Sequence, residues 1–264
     1  AVDAAGEGDV ICITANGSSY DEAVTLTKAV TLKGPGDGSA VLTGGITLAG
    51  PFGDNTQTVI KGLKFEKSGI YAIAWGSEPN LNNLTIENNI FENISAWSAA
   101  VNFNLANTSP VRNLTIADNT ITNVTAENGS GIWVSAVAGT TRITGNKIDG
   151  TKLNSIQITG MAAGDVTISR NILKNWDSDI AGGGRAMRLT ANGNGSMTIT
   201  ENSMARTLAA GEDGAQVVKI TELTGTLDAS RNYWNAAKPD FSAVLKAYTD
   251  GGSTAAGGTQ ISVK

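Results

Sequence analysis

Histidine is absent from the 264-residue chain. With it go His-based general acid–base catalysis, Ser-His-Asp triads and His-ligated zinc. There is one cysteine, Cys12, which alone can neither close an internal disulfide nor build a metal site. Its setting, Val10-Ile11-Cys12-Ile13, reads as that of a small buried hydrophobe. Charge is sparse, at 16% of residues with a net of −5, so bulk attraction to nucleic acid is not expected. No apolar run approaches the ~18 residues needed to cross a bilayer, so no membrane span is expected. The chain opens at Ala1 with no initiator Met and no leader, and reads as a mature or trimmed form. In place of what is missing stand 32 Gly, 24 Asn, 30 Thr and 19 Ser, a globular composition weighted toward turn formers and β-tolerant polar residues.

Those residues recur in a pattern. Six segments superimpose without gaps: Leu84-Thr-Ile86-Glu-Asn-Asn89, Leu114-Thr-Ile116-Ala-Asp-Asn119, Thr141-Arg-Ile143-Thr-Gly-Asn146, Val166-Thr-Ile168-Ser-Arg-Asn171, Met197-Thr-Ile199-Thr-Glu-Asn202 and Leu227-Asp-Ala229-Ser-Arg-Asn232. The Asn-to-Asn steps are 30, 27, 25, 31 and 30 residues. Leu63-Lys-Phe65-Glu-Lys-Ser68 reads as a degenerate earlier copy. Each copy alternates with the period of a strand and ends in Asn, a residue that tolerates a left-handed backbone. One or two apolar residues follow, then a variable loop, then a further alternating strand: Ala100 to Leu105, Gly131 to Val137, Ser155 to Thr159, Ala186 to Thr190 and Gln216 to Thr221. Strands this short cannot each bury a face alone, but repeats stacked at ~4.8 Å bury a continuous apolar column. The expected fold is therefore all-β, a β-solenoid, with Ile86, Ile116, Ile143, Ile168 and Ile199 in one inward stack.

An open solenoid end exposes strand edges and core, so short helical caps are expected at both ends. Ala1 to Ala5 serves at one end. At the other, Phe241, Val244, Leu245 and Tyr248 fall on one helical face, with Asp240 as N-cap. The expected organisation is a domain over residues 1–248 including the caps, a flexible linker over 249–258 and a terminal strand over 259–264, the tail being either a linker toward another domain or a strand that docks on its own body or on a neighbouring subunit.

Most of the polar repeat needs no functional reading. Asn at one tight turn per coil stacks into a ladder. The outward Thr85, Thr115, Thr167 and Thr198, with Thr144 and Thr200, resemble a flat ice-binding array, but Arg142, Asp228, Glu87 and Ala117 interrupt it and β-propensity suffices. Arg170, Glu201 and Arg231 alternate in sign as a surface ladder of ion pairs. Asn-x-Ser/Thr sequons stand at Asn16, Asn83, Asn93, Asn107, Asn113, Asn123, Asn128 and Asn194, and matter only if the chain is a secreted glycoprotein.

The opening coil, Gly8-Asp9-Val-Ile-Cys-Ile13 followed by Glu22-Ala-Val-Thr-Leu-Thr-Lys28-Ala-Val-Thr-Leu-Lys-Gly34, with the recurring Leu-Thr-Ile-x-x-Asn-x-Ile and the closing Asn232-Tyr-Trp234-Asn235, resembles the right-handed parallel β-helix superfamily of pectate-lyase-like fold. The resemblance covers about residues 1–248. It implies the fold and leaves the activity open, because the superfamily holds lyases, hydrolases, epimerases, adhesins, fibres and phage spikes.

It also implies that the sheet built by the last strand of each repeat carries a glycan groove on its outer face. The outward column there is Asn102, Trp133, Gln157, Arg188 and Lys219, flanked by Asn104, Ser135, Thr159 and Thr190. Aromatic, amide and cation at ~4.8 Å steps match the repeat of a sugar chain. The competing reading packs Trp133 beneath a loop. The Gly-His-Gly and Asp-Pro-His motifs of the pectin hydrolases and epimerases of this fold are missing. A calcium-dependent polysaccharide lyase needs less: Asp177 and Asp179 as Ca²⁺ ligands beside Arg188 and Lys219 as base, although two carboxylates are few for Ca²⁺. The leading expectation is a non-catalytic extracellular or cell-surface module without cofactor, an adhesin, glycan-binding or fibre-building protein whose partner is a polysaccharide or host-cell glycan. Self-association through the C-terminal strand is the further partner expected. The lyase acting on an acidic glycan is the alternative.

Overall fold

The computed structural model describes residues 1–73, 80–96, 98–104, 110–176, 184–190, 194–206, 217–221, 226–234, 245–248 and 261–262. Short strands coil into three parallel sheets of ten, eight and nine strands, and neighbours within each sheet come from successive coils. The six repeated segments lie in the ten-stranded sheet. The apolar residues after each Asn form the eight-stranded sheet, and the last strand of each repeat joins the nine-stranded one. Because all pairing is between coils, alternation within a strand sends one set of side chains inward in every coil.

The inward stack is continuous. Leu32, Ile60, Ile86, Ile116, Ile143, Ile168 and Ile199 pair in register along the ten-stranded sheet, and none is more than 1% exposed. Opposite them, Leu42, Phe65, Phe91, Ile121, Ile148, Leu173, Met204 and Trp234 form a second buried column. Within it the Phe65 and Phe91 rings stack at 4.8 Å. Two threonines interrupt a further inward column of the ten-stranded sheet: Thr58 stacks on Leu84, and Thr141 sits between Leu114 and Val166; both are fully buried, and their hydroxyls bond nothing.

At the corner between the ten- and eight-stranded sheets runs the Asn ladder, Asn89, Asn119, Asn146, Asn171, Asn202 and Asn232. Asn146 shows the bonding. Its Nδ2 donates to the Ile116 carbonyl at 2.9 Å and to Asn171 Oδ1 at 3.0 Å, and its own Oδ1 accepts from the Asn119 main-chain N–H at 3.1 Å and Asn119 Nδ2 at 3.0 Å. The left-handed residue is not the Asn, as expected from sequence, but the one before it: Asn88, Asp118, Gly145, Arg170, Glu201 and Arg231 all have φ between 54° and 69°. The turn needs its sharp bend one position earlier, which leaves the Asn side chain pointing inward to bond. Five of the eight sequons are explained in the same way, since Asn83, Asn93, Asn113, Asn123 and Asn128 sit at positive φ, where Asn is the best-tolerated side chain.

Four further expectations change. Leu63 to Ser68 is not an early copy of the repeat. Lys64–Lys67 pairs with Ile90–Ile94 in the eight-stranded sheet, and the true equivalent is Thr58–Lys61, which pairs with Leu84–Glu87. Leu63 there takes the ladder position, and its main-chain N–H donates to Asn89 Oδ1 at 3.1 Å. Cys12 is exposed rather than buried, because it takes the outward position of its strand, in line with Lys33 and Lys61, while Ile11 takes the inward one beside Leu32.

No helical cap is present among the described residues at either end. Val2–Ala4 is a single 3-10 turn, tied down where Lys28 Nζ donates to the carbonyls of Asp3 at 3.0 Å and Ala5 at 2.7 Å, with Val2 and Ala5 packed on the core. Leu245–Tyr248 is a strand paired with Val218–Thr221. Its apolar spacing suits a helix, but the free edge of the nine-stranded sheet offers its backbone a full set of partners. Asp240 to Val244 lie outside the described residues, as does the linker 249–258. Ile261–Ser262 forms the last strand of the ten-stranded sheet, beside Leu227 and Asp228 of its own body.

Candidate functional site

The nine-stranded sheet brings the expected outward residues into one line. Tyr71, Asn102, Trp133, Gln157, Arg188 and Lys219 are partners in consecutive coils, with Lys246 next in register. The six from Tyr71 to Lys219 face outward because their neighbours Val101, Phe103, Ile132, Val134, Ile156, Ile158, Met187, Leu189, Val218 and Ile220 fill the interior.

The line divides into two halves. Toward the N-terminal end it is closed in: Tyr71, Asn102 and Gln157 are 3%, 4% and 6% exposed. Burial raises the Tyr71 phenol above its ordinary pKa, and the phenol oxygen accepts from the Gly69 main-chain N–H. Trp133 is half-buried, and its indole N–H is covered without a partner. Toward the C-terminal end the line opens, with Lys219 half-buried and Arg188 exposed.

A buried amide joins the two halves. Asn154, 0% exposed, donates from Nδ2 to Gln157 Oε1 at 2.6 Å and accepts the Arg185 main-chain N–H at 3.0 Å. This holds Arg185, half-buried, close to Arg188. Burial, and then the Arg188 charge, push the Arg185 guanidinium below its ordinary pKa. Sequence reading missed Arg185, though Arg185-Ala-Met-Arg188 put two cations three residues apart. In the flanking column Ser135 Oγ donates to the Phe103 carbonyl at 2.8 Å and Thr159 Oγ1 to the Ser135 carbonyl at 3.3 Å. These hydroxyls are engaged with the preceding coil; Thr190 is half-buried, and the side chain of Asn104 lies outside the described residues.

A family model described as a right handed beta helix region matches residues 45–214. The chain belongs to that family. No curated protein and no solved structure matches it. The β-helix carries the two cations of the lyase alternative, Arg188 and Lys219, side by side in adjacent coils. Its proposed calcium ligands, Asp177 and Asp179, lie outside the described residues. No described helix is long and apolar enough to cross a membrane. On the surface at the ladder corner, Arg231 pairs with Glu201 at 3.2 Å, one rung of the expected alternating-charge column.

Proposed function

We propose that this β-helix is a non-catalytic module of the extracellular space or cell surface that holds an acidic polysaccharide along the outer face of its nine-stranded sheet, as an adhesin or matrix-binding protein does. The observation that carries the reading is the clustering of Arg185, Arg188 and Lys219 at the open end of that face, in a chain of net charge −5. Two guanidiniums held near each other, one depressed in pKa by burial and by the other's charge, are relieved by a bound polyanion. Guanidinium forks match carboxylate and sulfate geometry. Trp133, half-buried two coils away, supplies a ring edge for a sugar.

The test is titration of the purified β-helix with acidic and neutral polysaccharides by calorimetry, with the Arg188→Gln variant in parallel. Preferential binding of the acidic chain, weakened about tenfold or more in the variant at unchanged melting temperature, supports the reading. Equal binding of neutral chains, or a variant that binds like the parent, refutes it. Absorbance from unsaturated products during the same titrations, with and without Ca²⁺, would establish the lyase instead.

A further inference from the structure

A second concavity, unconnected with that face, lies on the outside of the ten-stranded sheet. It has a volume of about 360 Å³, at the lower end of the ~300–1,000 Å³ usual for small-molecule sites. It crosses four successive coils. Thr85, Thr115 and Arg142 are register partners along its floor, Gln57 closes one end, and Asn113 and Thr140 form part of the wall. Three steps of ~4.8 Å make about 14 Å, the span of a trisaccharide.

Its chemistry is uniform. No lining side chain is apolar or acidic, although acidic residues outnumber basic ones in the chain as a whole, 24 to 19. The wall is preorganised. Asn113 Nδ2 donates to Asn82 Oδ1 at 3.0 Å and Asn83 Oδ1 at 3.2 Å, and Gln57 Nε2 donates to Thr85 Oγ1 at 2.9 Å. What remains open is the set a sugar uses. Among the described residues, nothing bonds the hydroxyls of Thr115 and Thr140, the carbonyl of Gln57 or the guanidinium of Arg142.

We propose that this groove binds a short oligosaccharide carrying one carboxylate, with the acid group on Arg142 and the neutral rings running over Thr115 toward Gln57. A neutral polar floor with a single cation at one end selects one charge at one end of the ligand, unlike the run of cations on the nine-stranded face. A carboxylated sugar reaches such a site either as a sialic acid or as a uronic acid.

The experiment uses the full chain and three probes: sialyllactose, a glucuronate-ended trisaccharide and lactose. Binding is measured by calorimetry and located by hydrogen exchange. The expected result is saturable binding of at least one acidic probe at millimolar concentration or below, with the stronger of the two identifying the source, and binding of lactose at least tenfold weaker. Protection should fall on Val111–Ala117 and Val137–Thr144. Arg142→Gln should reduce the acidic probe to the level of lactose, and Arg188→Gln should leave it unchanged. Arg142 is exposed, so its replacement does not endanger the fold, and Gln57→Ala provides a second variant at the far end with an expected severalfold loss. The proposal is overturned if neither acidic probe saturates, if lactose binds equally, if Arg142→Gln binds like the parent, or if protection and loss of binding follow Arg188. The last result would assign the ligand to the nine-stranded face and leave that separate reading standing.

Discussion

Replacing Asn146 by Ala tests whether the amide ladder holds the coils together or only decorates their corner. Asn146 is 0% exposed, and its side chain bonds the Asn119 main-chain N–H and Nδ2, the Ile116 and Thr144 carbonyls and Asn171 Oδ1. The change leaves the Asn119 main-chain N–H without its acceptor and takes the side-chain donor from the Ile116 carbonyl, which stays in the parallel ladder with the next coil. Asn119 Nδ2 keeps the Ile86 carbonyl, and Asn171 Oδ1 keeps the Asn146 main-chain N–H. One buried N–H is thus orphaned, at about 1–3 kcal/mol, and the lost side-chain bonds add about 1 kcal/mol, so the expected loss is roughly 3 kcal/mol. Asn232 provides the internal comparison. It accepts the same two bonds from Asn202, at 2.9 and 3.0 Å, but is half-buried at the end of the ladder, where water can replace them. Its Ala variant should lose about 1–2 kcal/mol. Denaturant unfolding followed by circular dichroism reads both, with the slope checked for loss of cooperativity between coils. A loss below about 1 kcal/mol at Asn146, or equal losses at the two sites, would refute the reasoning that buried, unmet main-chain groups are what the ladder prevents.

Three other substitutions follow from the same geometry. Thr141→Val removes a buried hydroxyl that bonds nothing at nearly constant shape, and should raise stability by about 1–2 kcal/mol in the same unfolding assay. Ile168→Asp puts a charge into the middle of the isoleucine stack and should cost several kcal/mol; a variant that melts like the parent would show the register to be wrong. Lys64 bonds Glu66 at 2.7 Å and Glu92 at 2.8 Å, and Glu66 first, then Glu92, raise its pKa. A raised folded-state pKa gives stability that is present below the unfolded lysine value and is lost as pH rises through the folded one. The parent should therefore lose more stability than Lys64→Met between about pH 9 and pH 12, by a small margin that salt reduces further.

How far the sequence could be read depended on what each residue had to satisfy. The isoleucine column was legible because alternation and a near-constant period leave one inward set, and the outward line of Asn102, Trp133, Gln157, Arg188 and Lys219 followed from the same parity. The ladder was legible as a ladder, but not its bend. Asn suits both an αL backbone and a stacked amide, and only the structure shows that Arg170, Glu201 and Arg231 take the bend while Asn takes the bonds. Leu63 hid a coil because its main-chain N–H uses the next coil's Asn89, so the segment needs no Asn of its own. Leu245–Tyr248 carries a helical spacing, yet an unpaired sheet edge outweighs local periodicity. Of the groove around Arg142 only the outward column of Thr85, Thr115 and Arg142 was legible, since its wall comes from four coils and each member alone is an ordinary strand residue.

The ladder also has a direction. Every rung hands its two donors forward, to the Oδ1 of an Asn that comes later in the chain, and the last rung turns its Nδ2 back on the carbonyls of Ala229 and Ser230. Shortening the molecule is therefore not symmetric. Coils removed from the front strip donors from an acceptor, a loss the remaining oxygen tolerates. Coils removed from the back leave an N–H and an amide proton with nothing to meet, and unmet donors are the rarer and costlier defect. A length series of this solenoid should tolerate trimming from its N-terminal side more readily, and any version cut at the C-terminal side needs a new final rung that folds its amide back on itself as Asn232 does.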